Sequence, residues 1–319
     1  MPKVTVIIPN YNGESLLPVS LRSLRKQEFG DFSLLVVDNG SVDRSIEVMK
    51  EIYPECRVIE LNRNYGFSYA VNRGIESSNS EYVALLNNDV EVAPNWLGEM
   101  VKALEAHRDA ALCNPKVLRY HERNRINVLG IRYNRNSEVE IIGAGKEDKN
   151  EITEVKYIFG VNAGASLYRK EMFEDIGLFD ELFFASFEDV DLSFRAQLAG
   201  YKAIYVPGAR AYHMVGATIK RKRYFQTYLN SRNSLICFLK NMPYELLKKN
   251  LWQVVGYRFS IFAKRTFLYF YKARTYYFLK GIIAAFLKSR YIIEARREVQ
   301  KKRRVSIEYL SSIMDRHFH

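Results

Sequence analysis

Val4-Thr5-Val6-Ile7-Ile8-Pro9-Asn10-Tyr11-Asn12-Gly13 is the stretch from which the fold can be read. Five apolar or β-branched residues in a row, too few for a helix, read as a strand covered on both faces. Pro9 has no N–H to give to a ladder and stops the run. An amphipathic stretch follows, from Gly13 to Gln27. The unit then recurs. Ser33 to Val37 is the second strand, ending at Asp38-Asn39-Gly40-Ser41, where Ser41 or Asp43 can cap a helix running to about Ile52. Arg57 to Leu61 is the third, followed by Asn64-Tyr65-Gly66 and a helix from Phe67 to Ser77. Tyr82 to Leu86 is the fourth, with a helix from Asn95 to Ala106. Strands alternating with helices predict a mainly parallel, doubly wound sheet. Ligands of such sheets sit beyond the carboxyl ends of the strands. Pro9-Asn10-Tyr11, Asp38-Asn39 and Asn87-Asn88-Asp89 all fall at that edge.

The second half is less regular. Hairpins and a mobile loop are expected between Asn114 and Glu154, where Gly130, Gly143 and Gly145 interrupt a polar stretch. Val155 to Phe159 and Ala165 to Tyr168 read as strands, and a short helix starts near Lys170. Lys202 to Val206 is a further strand, closed by Pro207-Gly208. Beyond about Gly216 the pattern is helical to the end, which divides the chain into 1–216 and 217–319.

Composition sets the class. A chain of 319 residues with 48% hydrophobic content has ample core for one large or two modest globular domains. Cys56, Cys113 and Cys237 lie at no metal-ligand spacing and read as reduced thiols of a cytosolic protein. A secretory signal is not expected before a strand at Val4, nor is a membrane span without an apolar run of about 18 residues. The net charge is +12, yet Lys220 to Arg304 holds 22 Lys and Arg against three Glu. That surplus of 19 leaves the remainder at −7, a mildly acidic body with a basic tail.

Phe187-Glu188-Asp189-Val190-Asp191-Leu192 places three carboxylates among apolar neighbours, which can spread their pKa values and create a base. The plainer reading is a helix start, with acids in the first turn and an Asp191–Arg195 pair. That helix would end near Gly200.

Taken in order, these pieces resemble the family 2 glycosyltransferases of the GT-A fold, and within them the rhamnosyltransferase-like group. The matching segments are Val6 to Asn12, Val36 to Asp43, Asn64 to Phe67 with Asn72 and Gly74, Leu85 to Asp89, and Gly177 to Glu181. Phe187 to Arg195, and Val206-Pro207 through Tyr212-His213, complete a set covering residues 3–217. The resemblance implies a Rossmann-like, mainly parallel mixed sheet flanked by helices, with a C-terminal helical, basic extension. It implies inverting transfer of a sugar from a nucleoside-diphosphate sugar, best dTDP-rhamnose, to a lipid-linked or polysaccharide acceptor. A UDP-hexose or UDP-N-acetylhexosamine is the alternative donor.

The chemistry requires a base for the acceptor hydroxyl and charge neutralisation for the departing diphosphate. A hard divalent cation, Mg2+ or Mn2+, suits the second task. By resemblance Asp89 is its ligand and matches the last acid of an Asp-x-Asp motif, whose first position here is the uncharged Asn87. His213 matches the histidine that reaches the same cation. Asp38 matches the acid that contacts the nucleotide base, and Pro9, Tyr11 and Asn12 line that pocket. Asn39, Asn64 and Asn88 border it, Arg63 and Arg73 are candidates for phosphate contact, and Gly164 with the Gly130 to Gly145 loop shapes the sugar pocket. Asp189 takes the role of base, with Glu188 beside it and Asp191 holding the local geometry.

On one continuous helix from Trp252 to Arg290, the residues Arg258, Arg265, Lys272, Lys280 and Arg290 would share a face. A basic, aromatic-rich helix of that kind reads as an interfacial segment drawn to anionic lipid, placing the protein at the inner face of the cell membrane. A self-packed helical bundle is the competing reading. Nucleic acid is not an expected partner, because no helix-turn-helix, zinc or aromatic-sheet signature accompanies the charge. A sugar nucleotidyltransferase would need a glycine-rich phosphate loop that Asn10-Tyr11-Asn12-Gly13 does not supply. A non-catalytic nucleotide-sugar-binding protein stays open because of Asn87.

Overall fold

A computed structural model describes residues 1–215, 223–264 and 272–314; Gly216, the expected boundary, and Arg265 lie outside the described residues. Strand β1 (Val4–Asn10) pairs in parallel with β2 (Phe32–Asp38) and β4 (Tyr82–Leu85), and β3 (Arg57–Glu60) extends the sheet beside β2. Between them run α1 (Leu17–Leu24), α2 (Ser45–Ile52) and α3 (Phe67–Glu76), and α4 (Trp96–Ala106) follows β5 (Val90–Val92). Ser41 does not cap α2, because its hydroxyl is spent on Asp38; Asp43 accepts from the Ser45 amide instead.

The other half of the sheet is of mixed direction. Strand β6 (Ala110–Arg119) is nearly all buried, and a Pro115 in its middle hides it from a periodicity reading. β7 (Ile126–Val128) folds back on β6, and β8 (Ile131–Tyr133) with β9 (Val139–Ile141) forms a separate hairpin. β10 (Lys156–Ile158) and β11 (Leu167–Arg169) are short, and β12 (Lys202–His213) is long. The order is β10-β12-β6-β11-β4-β1-β2-β3, with β11 antiparallel to both of its neighbours.

Pro207-Gly208 does not close β12, contrary to expectation. The register with β6 jumps from Val206↔Pro115 to Arg210↔Lys116, a bulge that passes the prolines without a broken ladder bond. The strand then runs on and delivers His213 at its end.

Alternation along β1 builds two cores. Val4, Val6 and Ile8 face Leu17, Leu21, Trp96 and Met100, while Ile7 faces Ala70, Val71 and Ile75. On that second face lie α5 (Lys170–Ile176) and α6 (Glu188–Ala199). The opposite side of α6, through Val190, Phe194 and Leu198, meets a third core from the C-terminal helices. Those are α7 (Arg223–Asn241), α8 (Tyr244–Ala263), α9 (Lys272–Phe286), α10 (Ser289–Lys301) and α11 (Ile307–Met314). Helix α6 is therefore buried on all sides, as a helix between two layers must be.

The described residues do not form one continuous basic helix: α9 ends at Phe286 and α10 begins at Ser289, which separates Lys280 from Arg290, and residues 265–271 between α8 and α9 lie outside the described residues. Arg258 turns inward to Ser137 and Ser234, and Arg290 pairs with Glu294. Among the described residues no helix is long and apolar enough to cross a membrane.

Candidate active site

The carboxyl ends of β1 and β2 are joined by side chains. Asp38 is 2% exposed and accepts from Asn10 Nδ2 at 2.9 Å, Ser41 Oγ at 2.6 Å and the Ser41 amide at 2.9 Å. Asn12, in left-handed backbone at φ 49°, accepts from the Val42 amide and donates its own amide to Ser41. Asn39 reaches the next loop, donating to Gly66 O at 3.0 Å and accepting from the Tyr65 amide at 2.9 Å, and Asn64 accepts from the Gly66 amide. Pro9 lies on β1, and Tyr11 just beyond it is 40% exposed. Arg63 stacks on Tyr65, its backbone so close to Gly40 that a Cβ there would stand 2.5 Å from the Arg63 Cα. Arg73 is not part of this cluster: two turns along α3, it pairs with Glu76 at 3.0 Å and Glu181 at 3.5 Å.

Asn88 donates to Asn10 Oδ1 at 2.8 Å, which binds the β4 end to the same loops. Next to it, Asp89 Oδ2 lies 3.3 Å from His213 Nε2, while Asp89 Oδ1 is buried with no hydrogen-bond partner. The far ring nitrogen of His213 is 2.9 Å from Asn127 Oδ1, a contact that fixes the ring. An orphaned carboxylate oxygen beside an oriented imidazole fits a hard cation, with other ligands coming from water and a diphosphate. Among the described residues no cluster of three His, Cys, Asp or Glu stands ready to hold a metal.

At the N-terminus of α6 the three acids have separate environments. Asp191 is fully buried and bound by Lys240 Nζ at 2.7 Å, Arg195 Nε at 2.9 Å and Asn241 Nδ2 at 2.7 Å. Burial alone would raise it, but Lys240 and then Arg195 overcome that and hold it below the usual carboxylate range. Glu188 has no such partners. Burial and then the charge of Asp189 push it up to about 8, and its Oε2 is unpaired. Asp189 is half-buried, and burial pushes it up to about 6 against the lowering effect of the Val190 and Ala163 amides. Its Oδ2 accepts from Asn162 Nδ2 at 3.0 Å.

Asn162 had no signal of its own in the sequence, yet it links the two halves of the site. Its Oδ1 accepts from the Gly164 amide at 3.1 Å, and Gly164 O accepts from the Asn87 amide at 2.9 Å. Asp189 is thereby tied to the strand end that carries Asp89. Gly164 is there for space, since a Cβ would sit 2.9 Å from Asn162 Oδ1.

A mixed sheet flanked by helices, with the candidate site at the carboxyl edge of its parallel half, is the GT-A architecture. The glycosyl transferase family 2 model matches residues 5–177, more than half of the chain, which therefore belongs to that family. An uncharacterized protein of Sinorhizobium fredii, y4gI, is 31% identical over 68% of this chain and 25% of its own length. The N-acetylglucosaminyl-diphospho-decaprenol L-rhamnosyltransferase of Mycobacterium tuberculosis is 27% identical over 65% of this chain and 75% of its own. The mannosyltransferase PcManGT of Pyrobaculum calidifontis, solved with GDP-Man and Mn2+, has a TM-score of 0.57 at 19% identity, covering 91% of this chain and 87% of that one. The chain spans only 25% to 36% of the first three curated relatives it matches.

Proposed function

We propose that this chain transfers a sugar from a nucleoside-diphosphate sugar to a hydroxyl of a lipid-linked or polysaccharide acceptor in cell-envelope glycan synthesis, with inversion. The observation that carries the reading is Asp189, a half-buried carboxylate pushed up to about 6 and aimed by Asn162. A base of that strength takes a proton near neutral pH. The acceptor proton passes to Asp189 as the acceptor oxygen bonds to the anomeric carbon. The bond from that carbon to the diphosphate breaks, and the diphosphate leaves with the electron pair. One base and one direct displacement invert the centre. Asp89 and His213 are the residues that would hold Mg2+ or Mn2+, which neutralises the departing diphosphate when bound. Asn87 contributes no charge there, so affinity for the cation depends on the donor's own phosphates.

The donor is taken as dTDP-rhamnose, on the resemblance of the site segments and of one named relative. Membrane attachment at the inner face is supported by Trp252, Phe259 and Leu287, which are 83%, 67% and 79% exposed in a strongly basic region.

Calorimetric titration with dTDP-rhamnose, UDP-hexoses and UDP-N-acetylhexosamines, with and without Mn2+, tests the reading, followed by turnover with the donor that binds. Mn2+-enhanced binding of one nucleotide sugar, then transfer, is expected. If no donor binds, the reading is wrong; binding without turnover would point to a non-catalytic binding protein.

A further inference from the structure

Phe184, Ser186 and Phe187 all have left-handed backbone, at φ 61°, 68° and 71°, just before Glu188 and Asp189. Side-chain-bearing residues avoid that region, and three of them so close together persist only where the surroundings over-determine them. The restraint comes from the C-terminal helices. Asn233 of α7 is wholly buried, and its Nδ2 lies 2.9 Å from Phe183 O, 2.9 Å from Ala185 O and 2.7 Å from Ser186 O. Three carbonyls converge on one amide nitrogen with two protons, so at least one proton is shared. The neighbouring Arg232 donates to Leu182 O and Phe183 O. The one remaining carbonyl of the run, Phe184 O, faces the other way and accepts from the Phe67 amide at 2.6 Å.

We infer that Asn233 is a positioning residue for transfer: by gathering the carbonyls of Phe183, Ala185 and Ser186 it holds the left-handed run that aims Asp189. The inference rests on Asp189 as the base. It assigns to α7, outside the residues the family model matches, a part in the chemistry, with the Phe67 and Ser68 amides at the start of α3 holding the same run from its other side.

The test uses the full chain with Asn233→Ala, Ser186→Gly and the double variant. Glycine enters left-handed backbone without steric strain, so it lowers what the restraint must hold, at the loss of the Ser186 hydroxyl that accepts from Gln226 Nε2. Asn233→Ala should lower kcat by about 10²-fold with the donor Kd unchanged. Ser186→Gly should leave the wild-type rate nearly as it is, yet recover about tenfold in the Asn233→Ala background. Loss of donor affinity in step with kcat, an unchanged kcat, or no recovery in the double variant would each overturn the inference. If Asn233→Ala does not fold, Asn233→Ser, which keeps one donor, is put through the same comparison. Amide hydrogen exchange over residues 183–189 needs no turnover and separates the two ideas: faster exchange in the variant is expected even if no donor is found, and unchanged exchange counts against the clamp alone.

Discussion

Asp189 and Glu188 are neighbours with different duties, and each has its own pH signature. If Asp189 is the base, kcat/KM rises with pH through about 6 as it loses its proton. Asp189→Asn should cost about 10²–10⁴-fold in kcat while thermal unfolding is nearly unchanged. Glu188 affects stability more than rate. Its carboxyl is raised from 4.5 to about 8, so between those values the folded chain holds a proton that the unfolded chain has lost. That stabilisation is complete below about 4.5 and is lost as pH rises towards 8. Tm of the wild type should therefore fall over this window, and Glu188→Gln should flatten the dependence. A Tm curve that Glu188→Gln leaves unchanged would mean the proton is held elsewhere.

At the scale of elements, α6 is locked to α7 through Lys240, which is 3% exposed on its side chain and bridges Asp180 at 2.6 Å and Asp191 at 2.7 Å. Tyr291 of α10 closes the network on Asp180 at 2.6 Å. Lys240→Met takes a shared cation from two buried carboxylates, leaving Asp191 to Arg195 and Asn241 and Asp180 to Tyr291 and the Leu182 amide, and should cost roughly 3 kcal/mol in urea unfolding. Strands β1 to β4 were legible in the sequence as short apolar runs punctuated by Gly, Pro or Asn, and α1 to α4 as the stretches between them, while the three-residue β5 was too short to be read. β6 was not legible, since Asn114, Pro115 and Lys116 break its pattern. Their compensation is tertiary: Lys116 is neutralised by Asp148 at 2.9 Å, and the β12 bulge lies opposite Pro115. The acids at 188, 189 and 191 were legible because charge in an apolar setting is a local signal, whereas the pairing of Asp89 with His213 came only through the family resemblance. Asn162 and Asn233 were not legible, because an amide means nothing until its carbonyl partners are placed.

For the whole molecule, the shared core of α6 with α7, α8, α9, α10 and α11 bears on the expected division at residue 216. Deleting residues 217–319 would bare Phe183, Val190, Phe194 and Leu198, all under 5% exposed. The fragment 1–216 should lose cooperative thermal unfolding and donor binding together; a stable, donor-binding fragment would make the helices a separate domain. Wild-type protein should cosediment with anionic vesicles at low salt and be released at high salt, and Trp252→Ser with Phe259→Ser should weaken the attachment. β11 has a consequence of another kind. Among the described residues it is the strand that joins β4 to β6, and it enters antiparallel after the chain has already travelled through β5, α4, β6 and β10. A ribosome must therefore deliver Leu167–Arg169 before the two half-sheets can zip, and until then β4 and β6 are bare edges open to wrong pairing. Refolding should be slow and prone to off-pathway association: β11 closes the gap between the half-sheets, and β12, made later still, covers the other edge of β6.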